Sequence, residues 1–436
     1  MKILVHLRRG EKDFYLRLAH TAFPGSEVRT ISDERSGSAA WIGWFIYGRE
    51  QTTYQFTESD RFEIYKRCRF LRELEYGMAS ELIGKVAGGL LVLLRKEQFD
   101  LVIGGLVDCY IQDILERLCR LENIVYLSFV GHFFNGYCRI SSRGELNVIE
   151  RNISRIEVDE VLAQVERMDF KPSFAPNESR IFLAKYSHFC KEAIKKKIAF
   201  PVLKITNRDP CNHHYNTTID DRFRFKMLQK RSVDKYFSRF EKLRNIDSGT
   251  SIYFPLHFNP EATVDYWVDD VRMVGQETMV ENIVRDASGV FFLIKEHPAM
   301  YFRRNTLFYE RLLSYSNVAL LHPFDVSNQV LAKVNNVAVF TGSIGVEALI
   351  RNKRVLSFSK NYYSDLHPNV RLVKRIDTEV LSSELLKYDA TLFVKDLLKG
   401  LYKAKFLNNT SILESDLGAM SEYAKQFLKQ RRDETK

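Results

Sequence analysis

Three polar clusters directly follow apolar runs in the second half of the chain. They are His257-Phe258-Asn259-Pro260-Glu261, Lys295-Glu296-His297-Pro298 and Thr341-Gly342-Ser343, the last followed by Glu347. The apolar runs are typical of buried parallel strands, whose carboxyl ends meet at one edge of a sheet. We therefore predict one ligand site built from all three clusters, with His257 and Glu261 as candidate catalytic groups.

The third cluster has the composition of a phosphate-binding turn. Gly342 permits a tight turn and close approach of a ligand, and Ser343 is expected to cap the following helix, whose first N–H groups suit a phosphate. Glu347 lies about one helical turn later on the same side, where its carboxylate suits the hydroxyls of a ribose. The alternatives are an ordinary helix cap for Ser343 and an exposed helix carboxylate for Glu347.

The second cluster places a histidine at a fixed angle after a strand. Pro298 holds the loop extended, so that His297 can donate a hydrogen bond to a phosphate or a leaving group. Lys295 adds positive charge, although strand alternation directs it to the face opposite Glu296. The alternative is a structural histidine, which is common near strand ends.

The elements around these clusters predict a doubly wound α/β domain. Strands are predicted at Ser251–Phe258, Val290–Lys295, Val318–Leu321, Val337–Thr341 and Val355–Phe358, with helices at Gln276–Asp286, Phe308–Tyr315, Val326–Lys333 and Ile344–Arg351. A helical tail is predicted from about Glu379 to the end of the chain.

The first third has the same alternation of strands and helices. Strands are predicted at Lys2–Leu7, Glu27–Ile31, Leu101–Gly104 and Ile124–Phe129, with a helical stretch over Ser59–Gln98 that breaks near Gly88-Gly89 and a helix over Val107–Leu121. This pattern predicts a second parallel sheet covered on both faces.

Composition and absent motifs exclude several classes of protein. With 45% hydrophobic and 28% charged residues, the 436-residue chain is globular, neither disordered nor a coiled coil. The fingerprints G-x-G-x-x-G after a first strand, G-x-x-x-x-G-K-[ST], H-E-x-x-H and G-x-S-x-G are absent, which argues against NAD enzymes, P-loop NTPases, zinc proteases and α/β-hydrolases. The six cysteines have no zinc-binding spacing, and Asp269-Asp270 has no evident partner set for Mg²⁺. We predict no cofactor and no metal.

The segments 256–263, 295–298 and 341–349 together resemble the C-terminal half of bacterial capsule and surface-polysaccharide glycosyltransferases. The resemblance is nearest to the Kdo transferases of capsule assembly and more distant to bacterial polysialyltransferases. It implies a GT-B fold of two Rossmann-like domains facing across a cleft, and the transfer of a sugar from a nucleotide-activated donor such as CMP-Kdo. Because no D-x-D-like pair follows a suitable strand, we expect this transfer to be metal-independent. The resemblance assigns the donor phosphate and nucleotide to His297, Pro298 and Ser343 and the ribose to Glu347. The acceptor would be a glycan or lipid-linked glycan of the capsule, lipopolysaccharide or O-antigen.

The N-terminal domain is then expected to hold the acceptor. Asp108 follows a strand and the turn Gly104-Gly105, where a carboxylate can act as base or nucleophile, or simply cap the helix that follows. Arg8, Arg9 and Gly10 follow the first strand, and the two arginines either pair with an acidic sugar or phosphate or are solvated. His132 is a weaker rival to Asp108.

Positive charge is concentrated in one segment. Arg180–Arg244 has 17 Lys and Arg against 6 Asp and Glu, a net charge of +11, while the rest of the chain carries −1. It is either a solvated helical insert or a surface for anionic lipid or glycan, and no motif for nucleic acid accompanies it. The predicted domains are 1–175, a basic helical insert 176–248, 249–400 and a helical tail 401–436.

These features predict a cytoplasmic protein, and the lipid-binding interpretation of the basic segment would add a peripheral contact with the inner membrane. No apolar run reaches the length of a membrane span, and the first ten residues read as a strand rather than a signal peptide. Two enzymatic alternatives use similar architecture, a nucleotide-sugar 2-epimerase and a polyol-phosphate transferase. A non-catalytic glycan-assembly protein is the alternative of another class.

Overall fold

The computed structural model describes residues 1–8, 13–32, 39–43, 52–149, 151–171, 233–244, 246–259, 261–301, 304–406 and 414–434. These residues fall into two compact units. Unit 1 takes its described residues from Met1–Asn152 and Lys399–Lys436, and unit 2 takes its own from Ile153–Val202 and Ile219–Leu398. The ranges differ from the predicted domains in two places, since residues 153–171 belong to unit 2 and the C-terminal segment belongs to unit 1. Most of the basic segment lies outside the described residues.

Unit 1 contains a five-stranded parallel sheet with the order β3-β2-β1-β4-β5. Its strands are β1 (Lys2–Leu7), β2 (Glu27–Ser32), β3 (Ala40–Trp41), β4 (Leu101–Ile103) and β5 (Val125–Leu127). Helix α1 (Phe14–Ala22) covers one face, and α2 (Glu58–Arg67), α3 (Tyr76–Glu97) and α4 (Tyr110–Leu121) cover the other. Burial on both faces explains why the central strands β1 and β4 are largely apolar, whereas β2, nearer the edge of the sheet, carries Glu27, Arg29 and Thr30.

The predicted helix break at Gly88-Gly89 is wrong. Helix α3 runs through both glycines, and the break lies earlier, between α2 and α3. A Cβ on Gly88 would lie 2.0 Å from the carbonyl oxygen of Thr52, so the glycine allows an extended segment to cross the helix closely. By length and composition α3 is the one helix in the described ranges that passes for a membrane span, but 67% of its apolar window is buried inside the protein, as in a core helix.

The apolar run Ile124–Phe129 forms two strands rather than one. After β5 the chain leaves the parallel sheet, and β6 (Phe129–Gly131) pairs antiparallel with β7 (Tyr137–Ile140). The cysteines Cys68, Cys109, Cys119 and Cys138 are buried and free.

Unit 2 begins with α5 (Arg155–Glu166) and contains a six-stranded parallel sheet with the order β10-β9-β8-β11-β12-β13. Its strands are β8 (Ser251–Pro255), β9 (Phe291–Lys295), β10 (Val318–Leu321), β11 (Asn336–Val339), β12 (Arg354–Ser357) and β13 (Val370–Leu372). Its other helices are α6 (Ala262–Asp265), α7 (Gln276–Asp286), α8 (Thr306–Leu313), α9 (Ser327–Leu331), α10 (Ile344–Ile350), α11 (Thr378–Ser382) and α12 (Ala390–Leu398). The prediction for α7 is confirmed at both ends.

The C-terminal segment is not the uniform helical tail that the sequence predicted. After α12 the short strand β14 (Tyr402–Lys403) pairs antiparallel with β7 of unit 1. Helix α13 (Glu414–Glu434) then packs against α1, with Leu417, Met420 and Tyr423 in the same core as β1.

The α/β class with two Rossmann-like sheets is confirmed. In each sheet the chain starts at a central strand, winds outward to one side, then returns to the other side of that strand. The order reverses between β1 and β4 in unit 1 and between β8 and β11 in unit 2. Doubly wound sheets bind their ligands at the carboxyl ends of such strand pairs.

Candidate functional site

His257 and Gly342 meet where the strand order of unit 2 reverses. His257 follows β8 and Gly342 follows β11, and these strands are neighbours in the sheet. A Cβ on Gly342 would lie 3.3 Å from Cε1 of His257, so the glycine leaves just enough room for the ring. Burial lowers the pKa of His257 to about 3, with the charges of His297 and Arg304 acting in the same direction. The imidazole is therefore neutral.

Thr341 ties the same edge to the loop after β8. Its hydroxyl donates to the carbonyl oxygen of Thr263 at 2.7 Å, and the Thr263 hydroxyl donates to Glu261 at 2.7 Å. Glu261 stands at the N-cap position of α6 and is exposed. The structure thus brings His257, Glu261 and Thr341 to one edge, as the sequence predicted.

Ser343 does not cap its helix as predicted. It stands at the N-cap position of α10, but its backbone is already helical and its side chain makes no capping hydrogen bond. The turn is held by Tyr363, whose hydroxyl donates to the carbonyl oxygen of Gly342 at 2.9 Å. A Cβ on Gly345 would lie 2.1 Å from that hydroxyl, so Gly345 makes room for it.

His297 is oriented by its own loop. Its Nδ1 accepts the backbone N–H of Ala299 at 3.1 Å, which leaves Nε2 as the ring nitrogen that can donate to a ligand. Pro298 opens a single 3₁₀ turn, Pro298–Met300, and thereby fixes the loop. The ring of His297 lies 5.9 Å from that of Phe258, next to the His257 loop.

Lys295 and Glu296 point to opposite faces of the sheet. Lys295 is buried, and its Nζ contacts the Ser327 hydroxyl at 3.1 Å, which also contacts the Tyr253 hydroxyl at 3.0 Å. Burial lowers the pKa of Lys295 to about 8, against the opposing effects of Asp325 and Glu347. Glu296 instead lies among Arg304, Tyr309 and the backbone of His297.

Glu347 is a buried carboxylate that has no bonding partner in the part of the chain that the structure describes. It is 6% exposed, and no hydrogen bond or ion pair reaches its side chain there. Burial raises its pKa to about 7, although the charges of Arg351 and Lys295 oppose the shift. An exposed helix carboxylate, the alternative interpretation, is therefore wrong. A buried acceptor without donors is suited to bind the hydroxyls of a ligand.

The predicted residues of unit 1 also meet where its strand order reverses. Arg8 follows β1, Asp108 follows β4, and the buried guanidinium of Arg8 donates to the Asp108 carboxylate and, at 3.1 Å, to Gln112. Helix α4 begins at Tyr110 with Cys109 at its N-cap, so Asp108 does not cap it. Arg8 is thus paired rather than solvated, whereas Arg9 and Gly10 lie outside the described residues.

His132 is poorly suited to act as a base. It is buried, and burial together with the charge of Arg139 holds its pKa well below the usual range. Its Nδ1 accepts the backbone N–H of Phe134 at 3.2 Å, which is a turn contact. The glycines Gly104 and Gly105 accommodate Tyr126, whose hydroxyl donates to the Gly105 carbonyl at 2.7 Å.

The acidic pair Asp269-Asp270 is engaged by protein groups. Asp269 accepts the backbone N–H of Lys360 at 3.0 Å, and Asp270 caps the 3₁₀ turn Val271–Met273 and pairs with Arg272. Across the described ranges, no group of three or more His, Cys, Asp and Glu residues is placed to hold a metal ion.

Solved structures similar to this chain include two of KpsC from Thermosulfurimonas dismutans. The beta Kdo 2,7 transferase is 10% identical, covers 97% of this chain and 100% of its own, and has a TM-score of 0.39. The beta Kdo 2,4 transferase is 12% identical, with coverage of 71% and 82% and a TM-score of 0.35. UDP-GlcNAc 2-epimerase from Neisseria meningitidis, bound to UDP-GlcNAc, is 12% identical, with coverage of 99% and 100% and a TM-score of 0.26.

No family model and no curated protein matches the chain. The similar structures include both Kdo transferases, which the sequence motifs resemble, and a 2-epimerase, which the sequence left as an alternative. At these identities and TM-scores the likeness adds no argument about activity, which rests on the residues themselves.

Sequence reasoning missed three residues of the unit 2 site. Arg304, Ser327 and Tyr363 support Glu296, Lys295 and Gly342 respectively. None of the three belongs to a motif that the sequence analysis singled out. Only their positions in the fold reveal them.

Proposed function

We propose that this protein is a glycosyltransferase that moves a sugar from a nucleotide-activated donor to a bacterial surface glycan. The observation that carries the proposal is the edge of the unit 2 sheet between β8 and β11. There a neutral histidine meets a glycine turn, and the helix that follows this turn carries Glu347, a buried carboxylate to which no described residue bonds. Such an edge suits a nucleotide, because the phosphates need donors and close backbone approach while the ribose needs an acceptor.

Each residue then has a role in donor binding. Nε2 of His297 donates to the donor phosphate, and Lys295, 3.1 Å from the Ser327 hydroxyl, supplies positive charge. Glu347 accepts the ribose hydroxyls, and the turn Thr341–Ser343 lets the ligand approach the backbone. Cationic and hydrogen-bonding groups at the leaving phosphate stabilise the charge that develops as the glycosidic bond breaks.

Catalysis also requires a group that activates the acceptor hydroxyl. Asp108 in unit 1 and His257 and Glu261 in unit 2 are the candidates, and Asp108 is the carboxylate that stands where the unit 1 strand order reverses. Arg8 beside it carries the positive charge that an acidic acceptor sugar would pair with. The donor CMP-Kdo, the surface-glycan acceptor, the cytoplasmic location and the membrane contact of Arg180–Arg244 stay predictions.

Isothermal titration with CMP, UDP, GDP and CDP tests the donor site directly. We expect one of the four to bind, because the base distinguishes them while the ribose and phosphate contacts are shared. Release of free nucleotide from the matching nucleotide sugar only when a glycan acceptor is present would support a transferase. Conversion of the nucleotide sugar into its epimer, with no net release of nucleotide and no need for an acceptor, would favour the epimerase class instead, and binding of none of the four would leave the non-catalytic assembly role.

A further inference from the structure

Arg304 connects three segments at the carboxyl edge of the unit 2 sheet. Its buried guanidinium donates to the carbonyl oxygen of His257 at 3.0 Å, to Oε2 of Glu296 at 2.6 Å and to Gln276 at 3.2 Å. A further bond of 3.2 Å reaches Glu277. The loop after β8, the loop after β9 and the first turn of α7 are therefore held by one side chain.

Glu296 carries this connection to the second histidine. Its carboxylate accepts the backbone N–H of His297 at 2.6 Å and the Tyr309 hydroxyl at 2.7 Å, in addition to Arg304. Burying an ion pair costs free energy unless the remaining donors and acceptors of both groups are hydrogen-bonded, and a fully bonded pair is also rigid. Glu296 and Arg304 have such further bonds. The pair thus fixes the backbone where His257 and His297 branch from the chain.

We propose that Arg304 is a positioning residue that sets His257 and His297 against the Gly342 turn for donor binding. Its side chain is fully buried, so it acts through the two loops rather than on the ligand. The proposal rests on the function proposed above, because it assumes that the two histidine loops bind a nucleotide.

The charge of Arg304 has a second effect at the same place. Burial disfavours its charged form, but the neighbouring Glu296 outweighs burial and raises the pKa of Arg304, so the guanidinium stays charged. That charge also lowers the pKa of His257, although burial and His297 have larger effects on it. Arg304 therefore favours the neutral form of the ring that touches Gly342, as well as its position.

The substitution Arg304→Lys tests the proposal while keeping the charge. A lysine cannot reproduce the planar fork that reaches two loops at once. With whichever of CMP, UDP, GDP and CDP binds the wild type, we expect the Kd of the folded variant to rise at least tenfold in isothermal titration. Urea unfolding of the same samples reports the accompanying loss of stability.

Arg354→Lys is the matched control. Arg354 is an equally buried arginine of unit 2, bonded to Asn336 and to the carbonyl oxygen of Ser383, but it stands at the amino end of β12. We expect a comparable decrease in the urea midpoint and an unchanged Kd. Equal Kd values for wild type and Arg304→Lys, or equal losses of affinity in Arg304→Lys and Arg354→Lys, would overturn the positioning role.

Tyr309→Phe keeps the proposal testable if Arg304→Lys does not fold. It removes one hydrogen bond to Glu296 and leaves the ion pair in place. We expect the Kd to rise severalfold, and an unchanged Kd would again count against positioning through Glu296. If the wild type binds none of the four nucleotides, the proposed function itself fails. If the wild type binds a nucleotide and Arg304→Lys binds it equally well, only the positioning role fails.

Discussion

The edges where the strand order reverses in the two units carry similar charged residues in different arrangements. In unit 1 the charges pair with each other, since Arg8 bonds both Asp108 and Gln112. In unit 2 the paired charges, Glu296 and Arg304, lie beneath the loops, while no ion pair within the described residues engages Glu347. At the first edge the charged groups bond each other, whereas at the second no described residue bonds the Glu347 carboxylate.

This difference indicates which edge can gain more free energy when a ligand binds. A buried carboxylate without donors costs stability, and a ligand that supplies hydroxyls recovers that cost on binding. A paired edge has less to gain from a ligand, because binding must first compete with the existing ion pair. We therefore expect nucleotide affinity to depend on unit 2 and stability to depend on the pair in unit 1.

The largest expected effect is loss of nucleotide affinity at the unit 2 edge. His297→Ala and Glu347→Ala each remove a charge-assisted contact worth about 1.5–3 kcal/mol, which is roughly a ten- to hundredfold increase in Kd. Isothermal titration with the nucleotide that binds the wild type measures this, and turnover at subsaturating donor should fall in parallel.

Glu379→Ala is a control for the loss of a first-turn helix carboxylate away from the site, since Glu379 occupies the first turn of α11 in the same unit and is exposed. It should leave the Kd unchanged. Wild-type affinity in both site variants would show that the donor site is misplaced.

A smaller effect is expected from Asp108→Asn in unit 1. The substitution leaves the buried Arg8 without its counter-charge, but the Asp108 side chain is 37% exposed and water screens the pair. We expect the free energy of unfolding to fall by about 1–2 kcal/mol. Urea unfolding measures this, and titration should show donor affinity unchanged while turnover with acceptor falls. A weaker donor affinity in this variant would contradict the separation of the two edges.

The smallest effect is a pH dependence of nucleotide binding, which distinguishes the two titrating groups of unit 2. Raising the pH through about 7 ionises Glu347 and strengthens its bonds to hydroxyls, while raising it through about 8 neutralises Lys295 and weakens phosphate attraction. Affinity should therefore be highest between these values and fall severalfold on either side. Titration from pH 6 to pH 9 measures the profile.

Glu347→Gln should remove the acidic limb of that profile and leave the alkaline limb. It should also stabilise the protein at pH 8. The wild-type folded state holds the Glu347 proton more tightly than the unfolded state, so it loses stability as pH rises from the ordinary glutamate pKa to about 7. The expected gain in the free energy of unfolding is about 1–2 kcal/mol. If the acidic limb of the binding profile is unchanged in Glu347→Gln, that limb belongs to another titrating group.

Much of the fold follows from sequence patterns, because a parallel strand buried on both faces must be apolar throughout. The strands Lys2–Leu7 and Val318–Leu321 and the helix Gln276–Asp286 have the predicted bounds. The break expected at Gly88-Gly89 is absent, because a glycine in a helix also serves close packing, here against Thr52. Local sequence does not distinguish these two uses of glycine.

The candidate site divides in the same way. The sequence by itself determined which residues stand at strand ends, among them His257, His297 and Glu347, since the change from apolar to polar residues marks where a buried strand reaches the edge of its sheet. Only the tertiary structure decided that Glu347 is buried and bonds to no residue in the described ranges, and that Arg304 joins the two histidine loops. Burial and hydrogen bonding depend on residues distant in the chain that pack together, and no local spacing encodes them.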